Sequence, residues 1–342
     1  MSYTESMIRV GVVRGGVSGE YQVSLNTGGN VLSHLRSDTL NSTYTPIDIL
    51  LDKKGVFYIR GLPVTMDRIA HSVDVVFNAL HGDFGEDGKI QQLFDQWHIP
   101  YTGSGAFPSA LGYNKALAKE QFIKLGIKTP RFKLYKSYDK ETDGLPEVYA
   151  PRLAKEIWST YAPPWVVKRV SSGSSVGVYI CKEFQELVSA LEECAKDPSP
   201  LLVEEMISGK EATVAVIDNF RKKKVYTLPP IEIRVHKDKK FFDYDAKYHG
   251  GSEEICPGNF TYEEKRELER LAGHIHTGFN LSHYSRSDFI IHPKRGIYAL
   301  EVNTLPGLTD ASLTPKALAS VGATMPQFIH HILTLALTQK GR

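Results

Sequence analysis

The sequence predicts an α/β protein of more than one unit, and three observations carry that prediction. A strand–loop–helix pattern opens the chain and recurs near residue 73. The length of 342 residues is too great for one small core and points to two or three domains. A late pair of strand-like runs, 284–291 and 297–304, carries polar groups on one face and apolar groups on the other. The 42% hydrophobic content supports globular packing throughout. A formal net charge of +2 gives no electrostatic case for nucleic acid or an anionic membrane, so the expected partners are small molecules or a second copy of the chain.

The opening strand is the apolar run 8–13, followed by the loop Gly15-Gly16-Val-Ser18-Gly19-Glu20 and a helix to about Leu35. The second unit repeats the design. Its strand is 73–80, its loop is His81-Gly-Asp-Phe-Gly85-Glu86-Asp87-Gly88, and its helix starts at Lys89 with Asp87 placed to cap it. Ligands of open α/β sheets lie beyond the carboxyl ends of the strands, so the two loops should converge on one crevice. The G-x-G-x-x-G dinucleotide spacing is absent from both loops.

A boundary is expected near 115, after the Thr102-Gly-Ser-Gly105 turn. The middle segment should hold strands at 165–170, 177–181 and 201–204, with a helix at about 183–195. Beyond 206, the basic runs Arg221-Lys-Lys-Lys224 and Lys237-Asp-Lys-Lys240 read as solvated hairpin turns. A Thr261-x-x-Glu264 capping box opens a helix with Leu268, Leu271, Ala272 and Ile275 on one face. Two more helices start near Thr314-Pro315 and Thr324-Met-Pro326, the last burying Phe328, Ile329, Ile332, Leu333 and Ala336. The expected domains are 1–115, 116–205 and 206–342.

Cys181, Cys194 and Cys256 are odd in number and widely spaced, which fits neither a disulfide framework nor a zinc site. Residues 1–7 are polar, and no apolar run is long enough to span a bilayer. The expected compartment is the cytoplasm.

The chemistry is concentrated late in the chain. Pairing 284–291 with 297–304 about Lys294/Arg295 sets Asp288 opposite Glu301 and Arg286 opposite Asn303 on one face. Phe289, Ile291, Tyr298 and Leu300 then form the core face. Facing carboxylates destabilise a sheet unless neutralised, and oxygen donors from Asp, Glu and Asn suit a hard cation, Mg²⁺, with nucleotide phosphates completing its shell. Asn303 leads into Thr304-Leu-Pro-Gly307-Leu-Thr-Asp-Ala-Ser312, whose backbone N–H groups suit an anion beside the metal.

A second site signal is Lys168-Arg-Val-Ser-Ser-Gly173-Ser174-Ser175-Val-Gly177, a lysine-fronted Gly/Ser loop suited to phosphate. It lacks the Walker spacing, and its strand–loop–strand setting suits a flap over phosphates. The run Leu201-Leu-Val-Glu204-Glu205-Met206-Ile207 offers apolar walls and a polar edge for adenine, and Glu211 stands within reach of a ribose.

Taken in order, Gly-Gly-Val-Ser-Gly-Glu20, Leu-His81-Gly-Asp-Phe-Gly-Glu-Asp-Gly, Lys168 with Gly173-Ser-Ser-Val-Gly177, Lys247-Tyr248, Arg286-Ser-Asp288 and Glu301-Val-Asn303-Thr-Leu-Pro-Gly-Leu-Thr give the chain its likeness. It resembles the D-alanine–D-alanine ligases over about 8–337. The resemblance implies an ATP-grasp fold: an N-terminal Rossmann-like domain and two α+β domains that sandwich ATP. It implies Lys115 and Lys168 at the phosphates, Glu204, Glu205 and Ile207 at adenine, and Glu211 at the ribose. Ser174, Ser175 and Lys247 add further ATP contacts, and Asp288, Glu301 and Asn303 would hold two Mg²⁺ ions, with Mn²⁺ able to substitute.

Glu20 would bind the first D-alanine's ammonium with His81 near its carboxylate. Ser312 and the Leu313 amide would hold the second D-alanine, and Arg286 and the Gly307 N–H would stabilise the oxyanion. Glu20, Ser174 and Tyr248 would form a hydrogen-bonded chain that closes the site. The Lys247-Tyr248 pair favours a dipeptide product, with D-alanyl-D-serine or D-alanyl-D-lactate as the alternative. The family is commonly dimeric, which makes a homodimer the candidate assembly. Three positions depart from the family pattern: Arg14, Asn114 and Arg169.

Overall fold

The computed structural model describes residues 7–171, 177–197, 199–235 and 252–338. Among the described residues three sheets organise the chain. In the first, strand Ile8–Gly15 is central, paired in parallel with Tyr44–Leu51 on one side and Val75–Asn78 on the other. Two short antiparallel strands, Phe57–Ile59 and Leu62–Val64, extend one edge. Full burial of Val10, Val12, Val13, Val75, Val76 and Phe77 explains the near-continuous apolar runs read from the sequence, because a parallel sheet is covered on both faces.

The second sheet is antiparallel, with Phe132–Tyr135, Leu201–Glu205, Trp165–Arg169 and Tyr179–Cys181 in that spatial order. Helices Pro146–Thr160 and Phe184–Ala195 cover it through Tyr149, Leu153, Ile157, Leu187 and Leu191. The third sheet holds Ser252–Ile255, Ile231–Val235, Lys210–Asp218, Tyr284–His292 and Gly296–Asn303, with Val225–Thr227 paired to Lys210–Asp218. Arg221–Lys224 forms the connection between Lys210–Asp218 and Val225–Thr227, as expected of a solvated turn. The run 237–240 lies outside the described residues.

The helix Tyr262–Gly278 starts at the expected capping box: Thr261 Oγ1 accepts from Glu264 N at 3.1 Å, and Glu264 Oε2 accepts from Thr261 N at 2.8 Å. Its Leu268, Leu271, Ala272 and Ile275 pack on the third sheet. The last helix, Met325–Thr338, buries the expected Phe328, Ile329, Ile332, Leu333 and Ala336 against Val10, Val12 and Phe77 of the first sheet and Ala215 and Ile217 of the third, joining the two ends of the chain in one core. Helix Lys115–Lys124 packs on two sheets. Ala116 packs with Val170 and Leu202 of the second sheet, while Ala118 and Phe122 join the core of the third. No described helix is long and apolar enough to cross a membrane, and the three cysteines are free.

Two of the unusual positions are satisfied locally. Arg14 makes a bidentate pair with Asp48 at 2.7 and 2.6 Å on the neighbouring strand. Asn114 Oδ1 accepts from the amides of Ala116 and Leu117, both at 3.1 Å, and so caps helix Lys115–Lys124 as an aspartate would. The third, Arg169, pairs with Asp197.

Candidate active site

Strands Tyr284–His292 and Gly296–Asn303 pair with Arg286 opposite Asn303 and Asp288 opposite Glu301, the register read from the sequence. Arg286 donates to both Asp288 oxygens at 2.9 Å. Thr213 Oγ1, directly across on the adjacent strand, donates to Asp288 Oδ1 at 2.5 Å. Asn303 Nδ2 lies 3.4 Å from Asp288 Oδ2, and Lys115 Nζ lies 3.8 Å from Glu301. Cations therefore flank both facing carboxylates.

The register slips by one residue beyond Asp288, and this corrects the expected core face. Phe289 faces Ala299 and Ile291 faces Ile297, and these four join the core under helix Tyr262–Gly278. Tyr298 faces Ile290 instead, and the two cluster with Ile207 and Leu300 on the opposite side. The slip leaves Leu300 as an extra residue, so the alternation inverts toward the turn and an apolar patch forms beside the carboxylates.

A second group of charges lies on the neighbouring sheet. Lys168 Nζ is 2.8 Å and Lys119 Nζ 3.1 Å from the same Glu204 oxygen, Oε1. Burial would raise the Glu204 carboxyl, but Lys119 and Lys168 outweigh it and hold the group below its ordinary value. Burial also pushes the Lys119 ammonium down to about 8, against the attraction of Glu204. Glu205 turns the other way, accepting from Arg131 N and Arg295 Nη1, each at 3.1 Å.

The loops of the first sheet supply the third group. Ser18 Oγ donates to the His81 carbonyl at 2.7 Å, and the His81 ring meets Thr27 Oγ1 at 2.9 Å. Burial lowers the His81 pKa, with Glu20 opposing. Glu86 Oε2 accepts from Gly82 N at 2.8 Å, and burial followed by the Glu20 charge raises its carboxyl to about 8. Gly82 sits at φ +70°, which favours glycine, and a Cβ there would stand 2.7 Å from Glu20 Oε2 and displace that carboxylate. Asn30 Nδ2, on the first helix, donates to the Leu308 carbonyl at 2.7 Å and ties the 304–312 loop to this group. In that loop Ser312 Oγ accepts from Thr309 N at 3.1 Å and stands 3.0 Å from where a Cβ on Gly307 would be.

All three groups line one cavity of about 540 Å³, within the range of small-molecule sites. Glu20, His81, Lys115, Lys168, Glu204, Glu205, Ile207 and Glu211 line it, as do Arg286, Asp288, Glu301, Asn303, Gly307, Ser312 and Leu313. These are all the site residues singled out from the sequence that are described. Ser174, Ser175, Lys247 and Tyr248 lie outside the described residues. The donor set suits a hard cation: two carboxylates and an amide, all through oxygen, on the cavity wall. Among the described residues no group of three or more His, Cys, Asp or Glu side chains is placed to hold a metal. The remaining ligands would have to come from substrate or water, the usual case for Mg²⁺.

The family model described as D-ala D-ala ligase C-terminus matches residues 122–334, and the one described as D-ala D-ala ligase N-terminus matches residues 60–104. The chain belongs to the D-alanine–D-alanine ligase family. It is 36% identical over 330 residues to the D-alanine–D-alanine ligase of Geobacter sulfurreducens, covering 96% of this chain and 94% of that one. Among solved structures, the Bacillus anthracis D-alanine–D-alanine ligase complexed with ATP superposes with a TM-score of 0.77 at 30% identity, covering 98% and 99% of the two chains. The VanG D-Ala:D-Ser ligase from Enterococcus faecalis gives 0.81 at 27% identity, covering 97% and 100%. The fold is therefore ATP-grasp, and the protein is an ATP-dependent ligase.

Two residues of this ligase site escaped the sequence reading. Glu86 stands in a loop already singled out, yet nothing in the loop's composition marks one of its acids as buried. Lys119 follows Lys115 by four residues and so shares its helix face, the one signal that pointed inward.

Proposed function

We propose that the protein joins two D-alanines to D-alanyl-D-alanine for peptidoglycan precursor synthesis, using ATP and passing through an acyl phosphate. The observation that carries this reading is the Asp288–Glu301 pair, set in the cavity that also presents Lys115, Lys168 and Ser312. In this reading Lys115 and Lys168 hold the ATP phosphates, and Ser174, Ser175 and Lys247 add contacts. The adenine lies against Ile207 and the 204–207 edge, beside the apolar patch of Ile290 and Leu300, and Glu211 takes the ribose. Asp288, Glu301 and Asn303 would hold Mg²⁺, two ions by the family pattern with Mn²⁺ as a substitute, and the metal would neutralise phosphate charge.

The first D-alanine sits with its ammonium at Glu20 and its carboxylate near His81. That carboxylate attacks the γ-phosphorus, and ADP leaves. Burial keeps the His81 ring neutral, so it serves as a hydrogen-bonding wall of the substrate site. Ser312 and the Leu313 amide, at the start of helix Leu313–Ser320, hold the carboxylate of the second D-alanine. Its free amine attacks the acyl carbon and the C–N bond forms; the acyl C–O bond then breaks, phosphate leaves with that oxygen and the bonding pair, and the nitrogen gives up one proton. Arg286 and the Gly307 N–H face the oxygen on which negative charge develops, each worth on the order of 3 kcal/mol in comparable sites. Glu20, Ser174 and Tyr248 close the site against water.

The working division into units is 1–115, 116–205 and 206–342, the compartment the cytoplasm, and the assembly a homodimer. The likeness to a D-Ala:D-Ser ligase keeps one alternative in view, in which D-serine or D-lactate is the second substrate. Phosphate release with D-alanine alone, beside D-alanine plus D-serine or D-lactate, separates the two once the products are identified by mass. A D-alanyl-D-alanine product from D-alanine alone supports the dipeptide reading, and a preference for the mixed product overturns it.

A further inference from the structure

Lys119 is wholly buried, with no exposed surface, in a helix whose first lysine, Lys115, lines the cavity. Its ammonium donates to Thr129 Oγ1 at 2.8 Å and lies over the Phe132 ring at 5.7 Å. Its remaining charged contact is Glu204 Oε1 at 3.1 Å, the oxygen that Lys168 approaches to 2.8 Å. Strand register brings Lys168 to Glu204, since Glu204 faces Val166 and Lys168 is two residues further along the same strand and so on the same face, while the helix supplies Lys119. Two ammoniums thus share one carboxylate, and the group carries a net charge of about +1 when all three are ionised.

We infer that Lys119 is a positioning residue for nucleotide binding: by neutralising Glu204 from behind the cavity wall, it leaves the charge of Lys168 for the phosphates of the nucleotide. Without Lys119, the buried carboxylate has Lys168 as its nearest cation. A buried charge without a partner is costly, so Glu204 then holds Lys168 for itself and the pair presents no net charge to an incoming phosphate. The helix carrying Lys119 reaches Glu301 through Lys115 one turn earlier, so a single helix sets a lysine against each of the two charged strands of the site. This inference rests on the reading of Lys168 as a phosphate ligand.

The test uses the full chain and calorimetric titration with a non-hydrolysable ATP analogue plus Mg²⁺, and separately with adenosine. The quantity read is the ratio of the two affinities, because a general loss of structure lowers both. Lys119→Met should lower that ratio about tenfold, less than outright truncation of a buried charge pair does because Lys168 still partners Glu204, and should raise KM for ATP while leaving KM for D-alanine unchanged. In Lys119→Met/Glu204→Gln the carboxylate is gone and Lys168 is released, so the ratio should return to within about threefold of the parent. If Lys119→Met fails to fold, the double variant decides alone: a parental ratio supports the inference and a tenfold lower one overturns it.

A parental ratio in Lys119→Met, or a double variant as poor as Lys119→Met, also overturns it. Lys168→Met separates this from failure of the underlying reading. If Lys168→Met leaves the ratio unchanged, Lys168 is not a phosphate ligand and both ideas fall. If Lys168→Met lowers it and Lys119→Met does not, only the role of Lys119 falls.

Discussion

Arg286 and Asp288, two residues apart on one strand face, form a bidentate ion pair with both contacts at 2.9 Å. In the proposed chemistry one is the oxyanion donor and the other a metal ligand, so here the two functional charges neutralise each other. In that reading Asp288 would hold a cation that supplies charge for the phosphates, and its carboxylate would then hold the Arg286 guanidinium less tightly. Arg286→Met should therefore lower kcat by about 10²- to 10³-fold, the usual effect of removing such a donor, with KM for ATP little changed. Steady-state kinetics check this, and a loss under about threefold would remove Arg286 from that role.

Glu301 faces Asp288 across the hairpin. Glu301→Gln keeps the shape and one oxygen donor but removes a charge from the proposed metal site. The Mg²⁺ concentration for half-maximal activity should rise at least about tenfold. Chelation of the parent should abolish turnover, and Mg²⁺ or Mn²⁺ should restore it. Activity that survives chelator would contradict the assignment.

The Glu86 carboxyl, raised to about 8 from an ordinary 4.5 by burial and then by Glu20, makes stability depend on pH. Between those values the unfolded chain has released a proton that the folded chain keeps. Its contribution is thus complete below the unfolded value and is lost as pH rises toward the folded one. Glu86→Gln should flatten that decline, so urea midpoints measured at pH 5 and pH 8 should differ less in the variant than in the parent. Equal differences would show that Glu86 is ionised in the folded protein.

Gly209 packs where a Cβ would stand 2.1 Å from the Ile291 carbonyl oxygen. Gly209→Ala must push the strand at 210 away from the hairpin, at a cost of about 1–3 kcal/mol of stability. Because Ile207 and Glu211 flank this contact and line the cavity, KM for ATP should rise as well. Thermal unfolding and ATP saturation curves measure both effects.

The readable parts of this molecule were those governed by period and by caps. The 3.6-residue spacing of Leu268, Leu271, Ala272 and Ile275, the capping box at Thr261, and the charge on alternate positions of 284–291 each followed from local rules and stand in the structure. The side-chain directions of Tyr298 and Leu300 did not follow. A single extra residue, Leu300, inverts the side chains between it and the turn, and nothing in the composition of 297–304 marks where it falls.

Long-range pairing was the other obscure layer. The sequence marks Glu204 for the adenine edge but gives no sign that Lys119, 85 positions earlier, is its partner. Only the sheet register that carries Glu204 past Lys168, and the docking of helix Lys115–Lys124 behind it, makes them one buried group. The sequence marked Asn114 only as a departure, and the structure supplies its role: a cap needs only the side-chain oxygen that asparagine shares with aspartate.

The central claim is that this cavity joins two D-alanines through an acyl phosphate. It is tested most directly with D-alanine carrying ¹⁸O in both carboxylate oxygens, incubated with ATP and Mg²⁺, with phosphate and dipeptide analysed by mass. The account predicts D-alanyl-D-alanine and inorganic phosphate bearing one ¹⁸O, because the oxygen that attacks the γ-phosphorus leaves with it when the peptide bond forms. Dipeptide accompanied by unlabelled phosphate, or phosphate release without dipeptide, would contradict it.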